Sequence, residues 1–132
     1  MDNCVFCQRS KLNIIEENRL AVSFYDARPI SEGHALVIPK RHIETFFDAT
    51  PKEHEAITRL IFKTKGFLQQ RYMPDGYNIG TNVGLAAGQT IFHFHIHIIP
   101  RYIGDVRDPR GGVRKVIPSC DKHPEYHSES LH

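Results

Sequence analysis

Three histidines at every second position, His93-Phe94-His95-Ile96-His97, are the residues of this chain best placed to do chemistry. In extended backbone, alternate side chains share a face, so the three imidazoles line one surface while Phe94 and Ile96 point the other way. Successive rings then stand roughly 6.6 Å apart, close enough for one anionic group such as a phosphate to meet a neighbouring pair. An imidazole titrates near neutrality and offers a lone pair without a stronger base to activate it. Burying such a row is costly unless each ring finds a partner or a ligand. A catalytic or phosphate-binding role is the leading reading, and pure metal binding is the alternative. The run does not read as a purification tag, because large apolar residues interrupt it and Ile98, Ile99 and Pro100 continue it as strand.

Gly88-Gln89-Thr90 stand just before this row. Glycine lets a backbone approach a ligand closely, Gln89 offers an amide, and Thr90 offers a hydroxyl and a main-chain N–H. Beside three aligned histidines the segment reads as an anion cradle, to which Asn82 adds an amide if the loop folds back. Upstream, His34 opens the apolar run Ala35 to Pro39, and His42 follows its end after Lys40 and Arg41. Near the N-terminus Cys4 and Cys7 form a Cys-x-x-Cys pair, which is half of a tetrahedral zinc site. Two imidazoles would complete it, and nine histidines offer candidates. A redox dithiol is the competing reading, but Gln8 to Asn18 lacks the strand–helix–strand context that reading requires. Cys120 stands alone in a polar tail and is read as inert.

The elements that must position these groups follow an α+β pattern. Leu20 to Tyr25 and His34 to Pro39 read as strands joined by a Pro29–Gly33 turn, hence an antiparallel pair. Thr50-Pro51-Lys52-Glu53 opens a helix with a Thr cap, Pro at the first position and Glu three after the cap. Ala56, Ile57, Leu60, Ile61, Thr64, Phe67 and Leu68 then recur on one face. Pro74, Asp75 and Gly76 end it. Tyr77 to Asn82 reads as a strand, 83–89 as a loop and Thr90 to Ile99 as the last strand. Beyond Arg101 periodicity is lost, and the tail is either an active-site flap or poorly ordered.

Bulk properties set limits. The 132 residues suit one modest domain, read as 1–105 with a tail at 106–132. A net charge of +2 argues against nucleic acid or a membrane surface as partner. No run of about 18 apolar residues offers a membrane span, and the N-terminus lacks the pattern of a signal peptide. The chain therefore reads as soluble, intracellular and cytoplasmic; three cysteines cannot all pair within one chain, and that location argues against disulfides.

These motifs, in this order, resemble the histidine triad (HIT) superfamily of nucleotide hydrolases and transferases over residues 4–103. Its signature alternates three histidines with apolar residues and closes on two more, as His93 to Ile99 does. Phe24-Tyr25-Asp26-Ala27, the Gly33 to His42 stretch, the Asn82–Gly84 loop and Gly88-Gln89-Thr90 also match. The resemblance implies a five-stranded antiparallel sheet with one long and one short helix, continued across a homodimer. His95 would attack the α-phosphorus of a nucleotide and form a nucleotidyl-imidazole intermediate, and His97 would steady the phosphate charge. His34 and His93 would orient His95. Gln89, Thr90, Gly88 and Asn82 would serve the phosphate pocket. Asp26 would grip the ribose, and Phe24, Ala27 and Leu36 would wall the base. Members with Cys-x-x-Cys hold a structural zinc, here on Cys4, Cys7, His42 and His93. The implied substrate is an adenine nucleotide of the dinucleoside polyphosphate class, such as diadenosine tetraphosphate, because Arg110 and Arg114 in the tail suit extra phosphates. A phosphoramidate such as adenylated lysine, or a nucleotide-binding scaffold with incidental hydrolysis, is the alternative. The uridylyltransferase branch replaces the third triad histidine, which His97 retains.

Overall fold

Residues 3–118 are described by the computed structural model; Cys120 and the rest of the tail lie outside them. The chain divides into two units, residues 1–102 and 103–132. In the first, five strands form one sheet: β1 (Ile14–Glu17), β2 (Ala21–Tyr25), β3 (Ala35–Pro39), β4 (Gly76–Gly80) and β5 (Ile96–Arg101). All pairings are antiparallel, in the order β1-β2-β3-β5-β4. One long helix, α1 (Pro51–Tyr72), crosses between β3 and β4, and a short 3-10 turn at Phe46–Asp48 precedes it.

Helix α1 begins where its capping residues dictate. The Thr50 hydroxyl accepts the Glu53 N–H at 3.1 Å, and the Glu53 carboxylate accepts the Thr50 N–H at 2.9 Å, with Pro51 inside the first turn. Its buried face is Ile57, Leu60, Thr64 and Leu68, whose spacing of three and four residues keeps them on one stripe. Phe67, assigned to that stripe from sequence, is 38% exposed at its border. The helix stops at Met73, which takes the left-handed conformation (φ 51°) ahead of Pro74.

Period-two alternation gives the sheet two buried faces. Ala21, Ala35, Val37, Ile96 and Ile98 face α1 with Ile57, Leu60 and Leu68. The buried Thr64 hydroxyl reaches across to Ser23 Oγ at 2.8 Å. Val22, Phe24, Leu36 and Ile38 occupy the opposite face, and Phe6 of the N-terminal arm closes over them. Thus both faces of β2 and β3 are core, which explains their nearly continuous apolar character, interrupted only by the buried Ser23 of β2.

Strand β1 has no counterpart in the sequence reading, β4 ends at Gly80 rather than Asn82, and the last strand starts later than expected. Ile14–Glu17 is a strand with a bulge between Ile14 and Glu16, too short and too exposed to show alternation. The last strand begins at Ile96 rather than Thr90, because Phe94 donates its N–H to the Ile43 carbonyl (2.7 Å). It runs to Arg101, with Pro100 opposite Tyr77 and beyond the residues paired with β3. In the second unit, residues 112–116 form a short 3-10 segment, Arg110 grips Asp108 through two side-chain bonds of 3.0 Å, and Lys115 reaches the Asp108 carbonyl at 2.6 Å.

Candidate active site and metal centre

The arm that closes the second face carries Cys4 just before, and Cys7 at the end of, a single 3-10 turn, Val5–Cys7. That turn aims Phe6 into the sheet and both thiols at His42 and His93. His93 Nδ1 lies 3.5 Å from each sulfur, and His42 Nδ1 lies 3.3 Å from Cys7 Sγ. One ligand atom from each of the four residues falls within 4.8 Å of the others. In tetrahedral zinc geometry, with Zn–S about 2.3 Å and Zn–N about 2.05 Å, a sulfur and a nitrogen ligand stand about 3.6 Å apart. The cluster therefore fits zinc. His93 also shows the second hydrogen bond such a ligand needs, donating from Nε2 to the Pro39 carbonyl at 2.8 Å. Burial, then the hydrogen bond and charge of Cys4, pushes the Cys7 thiol up, a cost that a bound cation would reverse.

His93 cannot serve a proton relay, since both its ring nitrogens are engaged. Its link to His95 runs through the main chain instead: His95 donates from Nδ1 to the His93 carbonyl at 2.8 Å. This fixes the His95 tautomer and leaves the lone pair on Nε2. Phe6 stands edge-on to the His95 ring, with centroids 5.1 Å apart. The His95 and His97 rings keep a 5.2 Å centroid separation on one side. The three histidines thus share a surface although only His97 belongs to β5 itself.

His34 was expected to orient His95, but its ring meets His97. His34 Nε2 is 3.0 Å from His97 Nδ1 and 3.5 Å from Asp26 Oδ2, while His34 Nδ1 accepts the main-chain N–H of Ile30 at 3.2 Å. Burial lowers the His34 pKa against the pull of Asp26. Burial, then the neighbouring His95 and His34, brings His97 down to about 4. Both rings are therefore neutral at pH 7, and each carries one proton to place.

The cradle read at Gly88-Gln89 has a different job. Gln89 is buried; its amide nitrogen donates to the carbonyls of Glu44 (2.7 Å) and Ile91 (3.1 Å), and its oxygen accepts the Gly84 N–H (2.9 Å). The main-chain N–H groups of Gly88 and Gln89 bond to Leu85 and Gly84 within the same turn. Both donors of the Gln89 amide are engaged, so Gln89 braces the loop and does not face a ligand. Gly88 takes φ +92°, ending the Leu85–Ala87 turn. Thr90 is exposed and Asn82 half-buried. Phe24 and Leu36, read as base-pocket walls, are 2% and 3% exposed; the Phe24 ring packs on Phe6 with centroids 5.3 Å apart. They are core here, and only Ala27, exposed beside Asp26, is open.

The HIT domain family model matches residues 8–104. The chain belongs to the HIT family. A HIT family protein from Bacillus anthracis superposes with a TM-score of 0.76 at 36% identity, over 98% of this chain and 90% of that one. A zinc-bound histidine triad protein from Mycobacterium smegmatis gives 0.72 at 34% identity, over 82% and 84%. The adenylylsulfatase HINT3 of Arabidopsis thaliana is 36% identical over 92% of this chain and 64% of its own length. Three groups in this HIT domain escaped the sequence reading: the Pro39 carbonyl, the His93 carbonyl and the Ile30 N–H. All are main-chain atoms, on which residue type carries no signal. Phe6 was missed as well, although its place between two metal-ligand cysteines was a clue.

Proposed function

We propose that this HIT domain hydrolyses an adenine nucleotide at its α-phosphate through a nucleotidyl-His95 intermediate. The observation that carries the reading is the His95 tautomer: Nδ1–H is held by the His93 carbonyl, so Nε2 presents its lone pair. In the first step Nε2 forms a bond to phosphorus while the bond from phosphorus to the leaving group breaks, its electron pair departing with that group. In the second, water attacks phosphorus, the P–N bond breaks and a nucleoside monophosphate leaves. His97 hydrogen-bonds the phosphate as its charge shifts. Thr90 and Asn82 would serve as further phosphate donors, and Asp26 would grip the ribose hydroxyls. Cys4, Cys7, His42 and His93 would hold a zinc ion whose role would be structural, clamping the N-terminal arm to the sheet.

The leaving group is read as the remainder of a dinucleoside polyphosphate. Arg110, counted among the cations for extra phosphates, is paired with Asp108, which weakens that argument. A small leaving group is the second reading, favoured by the adenylylsulfatase relative. The test compares kcat/KM for diadenosine tetraphosphate, adenosine phosphoramidate and adenylyl sulfate, with acid-quenched protein examined for adenylyl-histidine by mass spectrometry. We expect an adduct on His95 that His95→Ala abolishes; a preference of tenfold, about 1.4 kcal/mol, assigns the leaving group. Turnover that survives in His95→Ala removes the mechanism. Pairing of two copies through the β4 edge is part of this reading, and so is a cytoplasmic setting.

A further inference from the structure

We infer that the main-chain N–H of Ile30 is a positioning group for this reaction: it sets the direction of the His34–His97 hydrogen bond and denies the Asp26–His34–His97 trio to metal ions. The consequence for catalysis rests on the hydrolase reading above; the proton arrangement itself does not.

Two neutral imidazoles facing each other through one hydrogen bond can share it in either direction. In one arrangement His34 Nε2 carries the proton and His97 Nδ1 accepts. In the other His97 donates from Nδ1, and the His34 proton must sit on Nδ1. The Ile30 N–H points at His34 Nδ1 from 3.2 Å. A proton there would set two donors head to head across a part-buried contact, so only the first arrangement satisfies both. His34 Nε2–H then donates to His97 Nδ1 at 3.0 Å, with Asp26 Oδ2 behind it at 3.5 Å. It follows that the proton of His97 resides on Nε2, the nitrogen not turned toward His34. One amide thereby keeps His97 a donor toward a phosphate oxygen. The Ile30 side chain has no part in this, being 74% exposed.

The same amide settles a second ambiguity. The ligand atoms of Asp26, His34 and His97 lie within 4.8 Å of one another, and the 3.0 and 3.5 Å separations bracket the spacing of about 3.3 Å between nitrogen or oxygen ligands on tetrahedral zinc. Geometry alone would make this a three-ligand site with an open position. To ligate through Nε2, however, neutral His34 must move its proton to Nδ1, against Ile30. The turn that holds Ile30 is itself fixed. His34 N–H bonds to the Ser31 carbonyl at 3.2 Å, and Gly33 adopts φ +88° with the Tyr72 ring so close that a Cβ would stand 2.8 Å from it.

The experiment reads the protons directly. Two-bond 1H–15N correlation spectra of the zinc-loaded, labelled protein should show His34 and His97 each with bare Nδ1 and protonated Nε2. Ile30→Pro deletes the one N–H, and Ile30→Ala retains it. In Ile30→Pro we expect mixed His34 tautomers, kcat lowered by about tenfold with little change in KM, and inhibition by a further equivalent of zinc that neither wild type nor Ile30→Ala shows. A wild-type spectrum with the His34 proton on Nδ1 overturns the inference, and so does an Ile30→Pro protein with unchanged tautomers and kcat. Should Ile30→Pro not fold, the wild-type spectrum decides alone. The expected tautomers in a protein without nucleotide hydrolysis would support the lock and remove the reaction instead.

Discussion

The carbonyl of His93 accepts the Nδ1–H of His95 at 2.8 Å, so a ligand of the metal cluster and the proposed nucleophile are one hydrogen bond apart. The His93 ring is held on its other side by Pro39, the last residue of β3. The four-residue cluster that fits zinc, strand β3 and the proposed nucleophile are thus joined by hydrogen bonds, and what loosens the cluster would reach His95 through backbone rather than through a chain of rings.

Removing the metal should show this. Cys4→Ser, or chelation of the native protein, is expected to abolish stoichiometric zinc and lower Tm by about 10 °C, a few kcal/mol for a domain of this size. Amide exchange should accelerate in the N-terminal arm and around His93 before it does so in α1. Uniform acceleration would mean that the cluster does not organise one face of the sheet.

Acid should weaken the fold in two separate windows. The unfolded chain protonates a histidine near 6.5, whereas folded His97 resists until about 4, so its contribution is lost as pH falls from 6.5 toward 4. Glu53, held to about 2 first by Arg41 and then by the Thr50 N–H and hydroxyl, loses its contribution between 4.5 and 2. Each is worth on the order of 2 kcal/mol, below the full linkage value because His97 and Arg41 are partly open to water. Urea melts at pH 7, 4 and 2.5 should resolve both steps, with His97→Asn reducing the first, to which buried His34 also contributes, and Glu53→Gln reducing the second. A single loss below pH 4 would contradict the histidine assignment.

Gln89 provides a test of structure against ligand binding. Gln89→Ala leaves two carbonyls and an N–H without their partner and should cost about 2–3 kcal/mol in denaturant melts. If Gln89 instead touched substrate, the same variant would melt normally and show only a raised KM.

The exposed edge strand β4 carries Ile79, 44% exposed and on the same side as Tyr77, while α1 shows Phe62 at 75%. An unpaired edge beside apolar side chains is the surface on which the proposed homodimer would form. Sedimentation should give a dimer for wild type and a monomer for the double variant Ile79→Lys, Phe62→Asp; identical sedimentation of the two would place any interface elsewhere.

How far the sequence could be read depended on whether the signal lay in side-chain type. The cap at Thr50-Pro51-Glu53 names its own geometry, and so do the apolar stripe of α1 and the two doubly buried strands. The four metal-ligand residues converge as the resemblance implies. What stayed hidden had other causes. Strand β1 is four residues with a bulge and little burial. Gln89 looks like a ligand-facing amide until its three main-chain partners are seen, and tertiary packing alone supplies those. Phe24 is apolar on a strand, a description that fits a pocket wall and a core residue equally well. The Ile30 N–H is common to every residue but proline.

The two faces of β2 and β3 also differ in what completes them. Against α1, burial follows from the chain alone, through Ala21, Val37, Leu60 and Leu68. On the reverse, Val22, Phe24, Leu36 and Ile38 are covered by Phe6, whose flanking cysteines look to an ion for their hold. A newly made molecule starved of zinc would thus be half finished, with a helix-backed side already set and an oily side still open to chaperones and proteases. Metal supply would then govern how many copies survive to work, before it governs how any of them works.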